Sequence, residues 1–255
     1  MDIRVETLTH VFTNGKPQRT ALEEINFEVQ SGQFVALIGP SGCGKSTLLR
    51  LAGDLLQPTC GTITLDGRKP AEMRAAHEIA WMAQSPALLP WLDARQNVAL
   101  AQRFMPANRR PRLSVDQVLD RVGLSDAASA FPFSLSGGMQ QRLALARLLA
   151  LEAGLWLMDE PFAALDEITR EHLTTELLDL WQPLHPTVLW VTHNIYEALR
   201  LADRILVLSP SPGRIAADLT IDFPRPRSED NPQFQLILAA LRTALGSTTQ
   251  TQAPL

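Results

Sequence analysis

The stretch Gly39-Pro40-Ser41-Gly42-Cys43-Gly44-Lys45-Ser46 has the spacing G-x-x-x-x-G-K-[ST]. It follows the apolar run FVALI and opens the helical pattern STLLRLAG. Glycines let successive backbone N–H groups curl around phosphate oxygens, and a helix N-terminus adds partial positive charge. Lys45 then reaches β- and γ-phosphates, and the Ser46 hydroxyl can ligate Mg²⁺. The chain has only three lysines, so a chance match at the four fixed positions is on the order of one in a thousand. A second candidate is Leu155-Trp156-Leu157-Met158-Asp159-Glu160, four apolar residues ending in two carboxylates. A buried strand would deliver Asp159 to the C-terminal edge of an open α/β sheet, where ligands collect. Asp159 suits Mg²⁺ there, and Glu160 suits an attacking water. Alone, such a run is a strand ending at the surface; beside a phosphate loop the functional reading gains. The third candidate, Leu135-Ser136-Gly137-Gly138-Met139-Gln140-Gln141-Arg142, precedes a helical run. It is either an ordinary N-cap or a second phosphate-binding helix end.

Short apolar runs alternate with helical patterns, which predicts an α/β protein with a largely parallel sheet. Strands are expected at 3–9, 24–30, 34–38, 63–65, 79–82, 155–158, 188–191, 205–208 and 214–221, with a loop at 14–17. Helices are expected from Gly137 to about 152, over 167–181 and over 194–202. Between about 84 and 135, prolines at 86, 90, 106, 111 and 132 break helical patterns, which reads as a helical insertion. Pro224-Arg225-Pro226-Arg227 reads as an extended linker. Phe234, Ile237, Leu238, Leu241 and Leu245 follow helical spacing and predict a last amphipathic helix packed on the body. The division is therefore a main domain over 1–222 with an inserted helical part at about 85–150. A linker and helix follow at 223–245, then a disordered tail at 246–255.

Composition narrows the class. The 255 residues are 45% hydrophobic and 20% charged, enough to bury a large core. A net charge of −4 argues against a dedicated nucleic-acid binder. The longest stretch free of Asp, Glu, Lys and Arg is 180–196, interrupted by Pro183 and Pro186. A bilayer span needs about 20 apolar residues, so none is expected. The start MDIRVETLTH lacks the basic and apolar regions of a secretory signal. Cys43 and Cys60 form neither a metal pattern nor a disulfide framework. The protein is expected in the cytosol, with any membrane work depending on another chain.

The segment LSGG-x-Q at Leu135–Gln140 resembles the signature of ABC transporter ATP-binding subunits. The order of the other motifs is also similar: the loop at 39–46, Gln84, the signature, Asp159-Glu160, Ala164-Leu165-Asp166 and His193. The resemblance covers about 3–222 and implies a P-loop NTPase cassette. Its fold would be a RecA-like parallel-sheet core, an N-terminal antiparallel β part and a helical subdomain. It further implies ATP bound with Mg²⁺ by Gly39 to Thr47, and Mg²⁺ touched by Ser46, Asp159 and Gln84. Glu160, His193, Lys45 and Gln84 would carry hydrolysis, with His193 at the γ-phosphate. Ser136, Gly137 and Gly138 would meet the nucleotide of a second copy, and Asp166 would cross that dimer interface. Phe12 would stack on adenine. Read singly, Gln84 is an ordinary polar residue, His193 a structural histidine, Asp166 a helix N-cap and Phe12 a core aromatic. Departures are small: Met139 stands where glutamine is frequent, Ala163-Ala164 where a serine is common, and Phe12 where tyrosine is common. None removes a phosphate-contacting group.

Leu88-Leu89-Pro90-Trp91 is either core or a loop anchor, or else part of a groove for a short cytoplasmic helix of a permease. SPALLPWLDARQNV, FPFSLSGGMQQR, PFAALDEITR and PGRI followed by FPRPR resemble the nitrate/sulfonate/taurine importer group, which includes bicarbonate transporters. That resemblance implies a homodimer, peripheral on the cytoplasmic face of the membrane through permease subunits and served indirectly by a solute-binding protein. The expected cargo is a small anion. A soluble ABC-type ATPase outside transport is the alternative, but such chains usually carry two cassettes or extra domains.

Overall fold

A computed structural model describes residues 1–13, 17–105 and 109–250. Most of the 14–17 loop, the break at Pro106 and residues 251–255 of the expected tail lie outside the described residues. The chain forms two compact units, Met1–Glu72 with Thr187–Leu255, and Met73–Pro186.

In the first unit β1 (Ile3–Phe12) lies between β2 (Arg19–Val29) and β4 (Cys60–Leu65), all antiparallel. Alternation buries Ile3 and Val5, then changes phase so that Leu8 and His10 are buried. The change falls at register shifts around Thr7, whose φ is 44°. An extra residue in a strand moves the following side chains to the other face. A separate set of strands has the order β7 (Thr187–Val191), β3 (Phe34–Ile38), β8 (Arg204–Leu208), β9 (Ile215–Thr220). The first three are parallel and β9 is antiparallel. Every residue of β3 and β7 is buried, the pattern of strands covered on both faces. The helix α1 (Lys45–Ala52) packs on β7, and α7 (Ile195–Leu201) packs on β3.

The second unit pairs β5 (Ile79–Met82) in parallel with β6 (Leu155–Asp159). Its helices are α3 (Ala94–Arg103), α4 (Val115–Arg121), α5 (Gly137–Ala150) and α6 (Glu167–Trp181); α2 (Pro70–Ala75) spans the division between the units. Asp93 with Gln96 and Ser114 with Gln117 form reciprocal capping boxes that start α3 and α4. The helices α3, α4 and α5 pack on one another.

The C-terminal segment corrects one expectation. Residues 224–227 form no helix or strand, and their two arginines anchor them to the body. Arg225 donates to the Leu201 carbonyl at 3.0 Å and pairs with Asp203 at 2.7 Å. Arg227 is buried and donates to the carbonyls of Leu199 (2.9 Å), Phe223 (3.1 Å) and Ala202 (2.5 Å). The last carbonyls of α7 lack helical partners, and two guanidinium forks supply them. Burial, reinforced by Arg225, pushes Arg227 down to about 10, so it stays charged at neutral pH. The last helix, α8 (Pro232–Gln250), runs five residues past the expected end at 245, since 246–250 contains no proline to stop it. Phe234, Leu238 and Leu241 are buried against the first unit, as the spacing predicts. Phe234 stacks with Tyr196 at 6.4 Å, and Arg242 donates to the Tyr196 hydroxyl at 3.0 Å.

Candidate functional site

In the first unit the buried strand β3 ends directly at Gly39, and the loop closes onto α1. Gly44 caps that helix at φ 101°, a left-handed backbone that a side chain resists. A Cβ there would also meet Leu22 Cδ2 at 2.6 Å. The loop thus turns tightly against β2. Lys45 is 6% exposed, and its ammonium donates to the carbonyls of Gly39 (2.8 Å) and Pro40 (3.0 Å). A charge held by neutral carbonyls inside a loop of backbone N–H groups suits a polyanion. Cys43 is fully buried, and burial pushes its thiol up, opposed in part by Lys45. That is a packing role, not a reactive thiol.

His193 emerges beside this loop. Leu37 of β3 pairs with Val191 of β7, and Thr192 N–H donates to the Leu37 carbonyl at 3.3 Å. The phosphate loop and His193 therefore leave the C-terminal ends of adjacent parallel strands. His193 is exposed, with both neighbours fixed. Asn194 caps α7 by accepting from Tyr196 N–H at 2.9 Å, and the Thr192 hydroxyl donates to Glu197 at 2.7 Å. Sequence reasoning missed this Thr192–Asn194–Glu197 bracket, although an Asn before a helical run was a legible cap. Phe12 ends β1 at 37% exposure, its ring edge-on to His10 at 4.7 Å.

The second unit repeats the logic. Met82 of β5 pairs with Met158 of β6, so Gln84 and the pair Asp159-Glu160 leave the ends of adjacent parallel strands. Asp159 is 8% exposed, whereas Gln84 lies in the open. Glu160 has φ 46°, a left-handed backbone that ends the strand direction right after Asp159; Thr7 and seven other non-glycine residues share that sign of φ.

Ser136 caps α5, its hydroxyl accepting from Met139 N–H at 3.3 Å, and Gly137 is exposed beside it. A Cβ on Gly138 would meet Thr169 Cγ2 at 3.1 Å, which ties the signature to the start of α6. Asp166 caps α6 by accepting from Thr169 N–H (2.9 Å) and hydroxyl (2.8 Å). Those hydrogen bonds hold its carboxyl below the usual range. Gln140 reaches back to the carbonyls of Pro132 (3.0 Å) and Leu135 (3.1 Å), fixing the approach to the signature.

The same unit carries an apolar groove lined by Trp81, Met82, Pro86, Leu100, Phe104 and Leu148, with Arg147 at its edge. Arg147 donates to the Ala87 carbonyl at 2.6 Å, and burial lowers its pKa. The 88–91 cluster does not line this groove. Trp91 is 69% exposed, so it is not core. The loop beneath it is held by buried Asn97, which donates to the carbonyls of Leu89 (3.2 Å) and Leu92 (2.9 Å).

The family model for ABC transporters matches residues 22–163. The chain belongs to the ABC transporter ATP-binding family. It is an ATPase of that family, with ATP and Mg²⁺ as its ligands. The cassette is 44% identical over 231 residues to the nitrate import ATP-binding protein NrtD of Synechococcus elongatus, covering 88% of this chain and 82% of that protein. It is 39% identical over 239 residues to the aliphatic sulfonates import ATP-binding protein SsuB of Bacillus licheniformis, covering 93% and 91%. Among solved structures, a dimeric post-hydrolysis state of the ATP-binding cassette MJ0796 bound to ADP and Pi aligns with TM-score 0.75. That alignment has 31% identity and covers 87% of this chain and 100% of that one. The cassette fold expected from the motifs is borne out. Among the described residues no helix is long and apolar enough to cross a membrane.

Proposed function

We propose that this cassette is the ATP-hydrolysing subunit of an importer for a small anion, of the nitrate, sulfonate (taurine) or bicarbonate type. The observation that carries the reading is the likeness, over 88% and 93% of the chain, to ATP-binding proteins named for nitrate and sulfonate import.

In this reading Gly39 to Thr47 cradle the polyphosphate, Lys45 neutralises it and Phe12 stacks on adenine. The hydroxyl of Ser46, the carboxylate of Asp159 and the amide oxygen of Gln84 are hard oxygen donors that fit Mg²⁺. Bound there, the ion would offset charge on the β- and γ-phosphates. Water attacks the γ-phosphorus, the bond to the ADP oxygen breaks, and Glu160 takes the proton that the water loses. His193, bracketed by Thr192 and Asn194, orients the water and the γ-phosphate.

Two copies would assemble head to tail, each closing ATP between its own loop and the Ser136–Gly138 signature of the other, with Asp166 at the interface. The groove beside Phe104 would receive a short cytoplasmic helix of a permease, so the cassette would sit peripherally on the cytoplasmic face of the membrane. A solute-binding protein would act through that permease. Purification of the membrane complex identifies the partner. Turnover of the reconstituted complex is then measured with nitrate, taurine and bicarbonate. Stimulation by one of these is the expected result; a complex that carries no permease, or that none of the anions stimulates, overturns the proposal.

A further inference from the structure

Arg19 opens β2 directly opposite Phe12, the last residue of β1. Its guanidinium crosses to the phosphate loop, where Nη2 donates to the Gly42 carbonyl at 3.1 Å. A Cβ on Gly42 would stand 3.3 Å from that same nitrogen, so the contact is close. Several other exposed or half-buried arginines of this unit have acidic partners, among them Arg4 with Glu28, Arg204 with Asp218 and Arg214 with Glu23. Arg19 is exposed, and among the described residues no carboxylate pairs with it. A carbonyl accepts a hydrogen bond but cancels no charge, so a full positive charge stands between an aromatic platform and a loop built for phosphate.

We propose that Arg19 is a nucleotide-binding residue, a cation that contacts the ribose and α-phosphate side of ATP from between Phe12 and Gly42. The proposal rests on the reading of Phe12 and the 39–46 loop given above. The position explains why no motif reveals it, since it lies on the strand facing Phe12 and not in the loop. A group acting on the part shared by ATP and ADP changes affinity for both alike. Its effect falls mainly on KM and less on kcat. Because the guanidinium is exposed, its attraction for the nucleotide is screened by salt; a purely mechanical tether to Gly42 is not.

The full-length chain is titrated with Mg-ADP by calorimetry at about 0.02 M and about 0.5 M salt, a range over which screening changes strongly. Arg19→Gln keeps a donor for Gly42 and removes the charge. It is expected to weaken ADP binding about 5- to 10-fold at low salt and less than about twofold at high salt. Arg19→Lys is expected to recover most of the loss, and the KM for ATP should rise in parallel with the ADP result. An unchanged affinity at low salt, or an equal loss at both salts, overturns the proposal. Failure of the underlying loop reading shows separately: Lys45→Ala would then bind ADP as the parent chain does, which also removes the basis for Arg19.

Discussion

A methyl group placed on Gly213 would stand 2.0 Å from the carbonyl oxygen of Cys43, a distance no side chain can occupy. Gly213 is itself held to β2, donating to the Ala21 carbonyl at 3.0 Å and accepting from Glu23 N–H at 2.9 Å. Gly39 presses on the same region, with its Cβ direction 2.7 Å from the Leu208 carbonyl. The phosphate loop therefore rests on the backbone of 208–213 as on a floor. A residue far away in sequence sets the shape of the nucleotide cradle.

Gly213→Ala forces that floor or the loop to move. Overpacking of this kind costs about 1–3 kcal/mol, so the protein should fold with a lowered melting temperature. Mg-ADP affinity is expected to fall by at least about tenfold, the equivalent of about 1.4 kcal/mol of lost loop geometry. Calorimetry and a thermal melt on the same sample check both. Normal ADP affinity in a folded Gly213→Ala protein would show that the loop does not depend on this support.

Glu160→Gln removes the carboxylate while keeping size and hydrogen bonding. Mg-ATP should bind as before, and hydrolysis is expected to fall by at least about 10²-fold, the range for a positioned base. Filter binding and phosphate release measure the two separately. Near-normal turnover would take the proton-accepting role away from Glu160.

Local patterns made the strands and motifs legible. FVALI, LWLMD and TVLWV are buried throughout, as their apolar runs predict, and the helix over 167–181 has the expected bounds. What stayed hidden depends on partners distant in sequence. Arg227 reads as a polar linker residue until Leu199 and Ala202 supply the carbonyls it binds. Asn97 is one amide among many until the 88–93 loop folds over it. At Trp91 the apolar pattern leaves core, loop anchor and partner groove all open, and its 69% exposure excludes the first. Hydrophobicity alone does not distinguish a core residue from one kept for a partner.

That exposure sharpens a third test. Trp91→Ala removes no packed core, so the stability change should stay within about 0.5 kcal/mol, read by denaturant titration. Phe104→Ala in the groove, 56% exposed, should behave in the same way. If these surfaces seat a permease helix, each change should weaken the membrane complex by about 30-fold, the loss of an interface anchor worth about 2 kcal/mol. ATP binding by the isolated cassette should persist. A large loss of stability with nucleotide binding, and no specific loss of the complex, would return both residues to a structural role.

The shared nucleotide site can be decided by mixing defects, because a site within one chain and a site between two chains forecast opposite results. Lys45→Ala empties the loop of its cation, and Ser136→Arg places a bulky charge where the signature N-cap stands exposed. Each homodimer carries the same defect at both sites and should be nearly inactive. In a mixed dimer with sites between chains, both defects fall in one composite site. The other site then combines an intact Lys45 from one chain with an intact Ser136 from its partner. Sites confined to one chain would leave no intact site in the mixture. Mixed dimers, purified by two different tags, are therefore expected to regain tight ATP binding at one site per dimer and at least single-turnover hydrolysis. Single turnover is the suitable measurement, since continuous cycling can require both sites to close. Mixed dimers that show neither binding nor hydrolysis would rule out the head-to-tail arrangement for this chain.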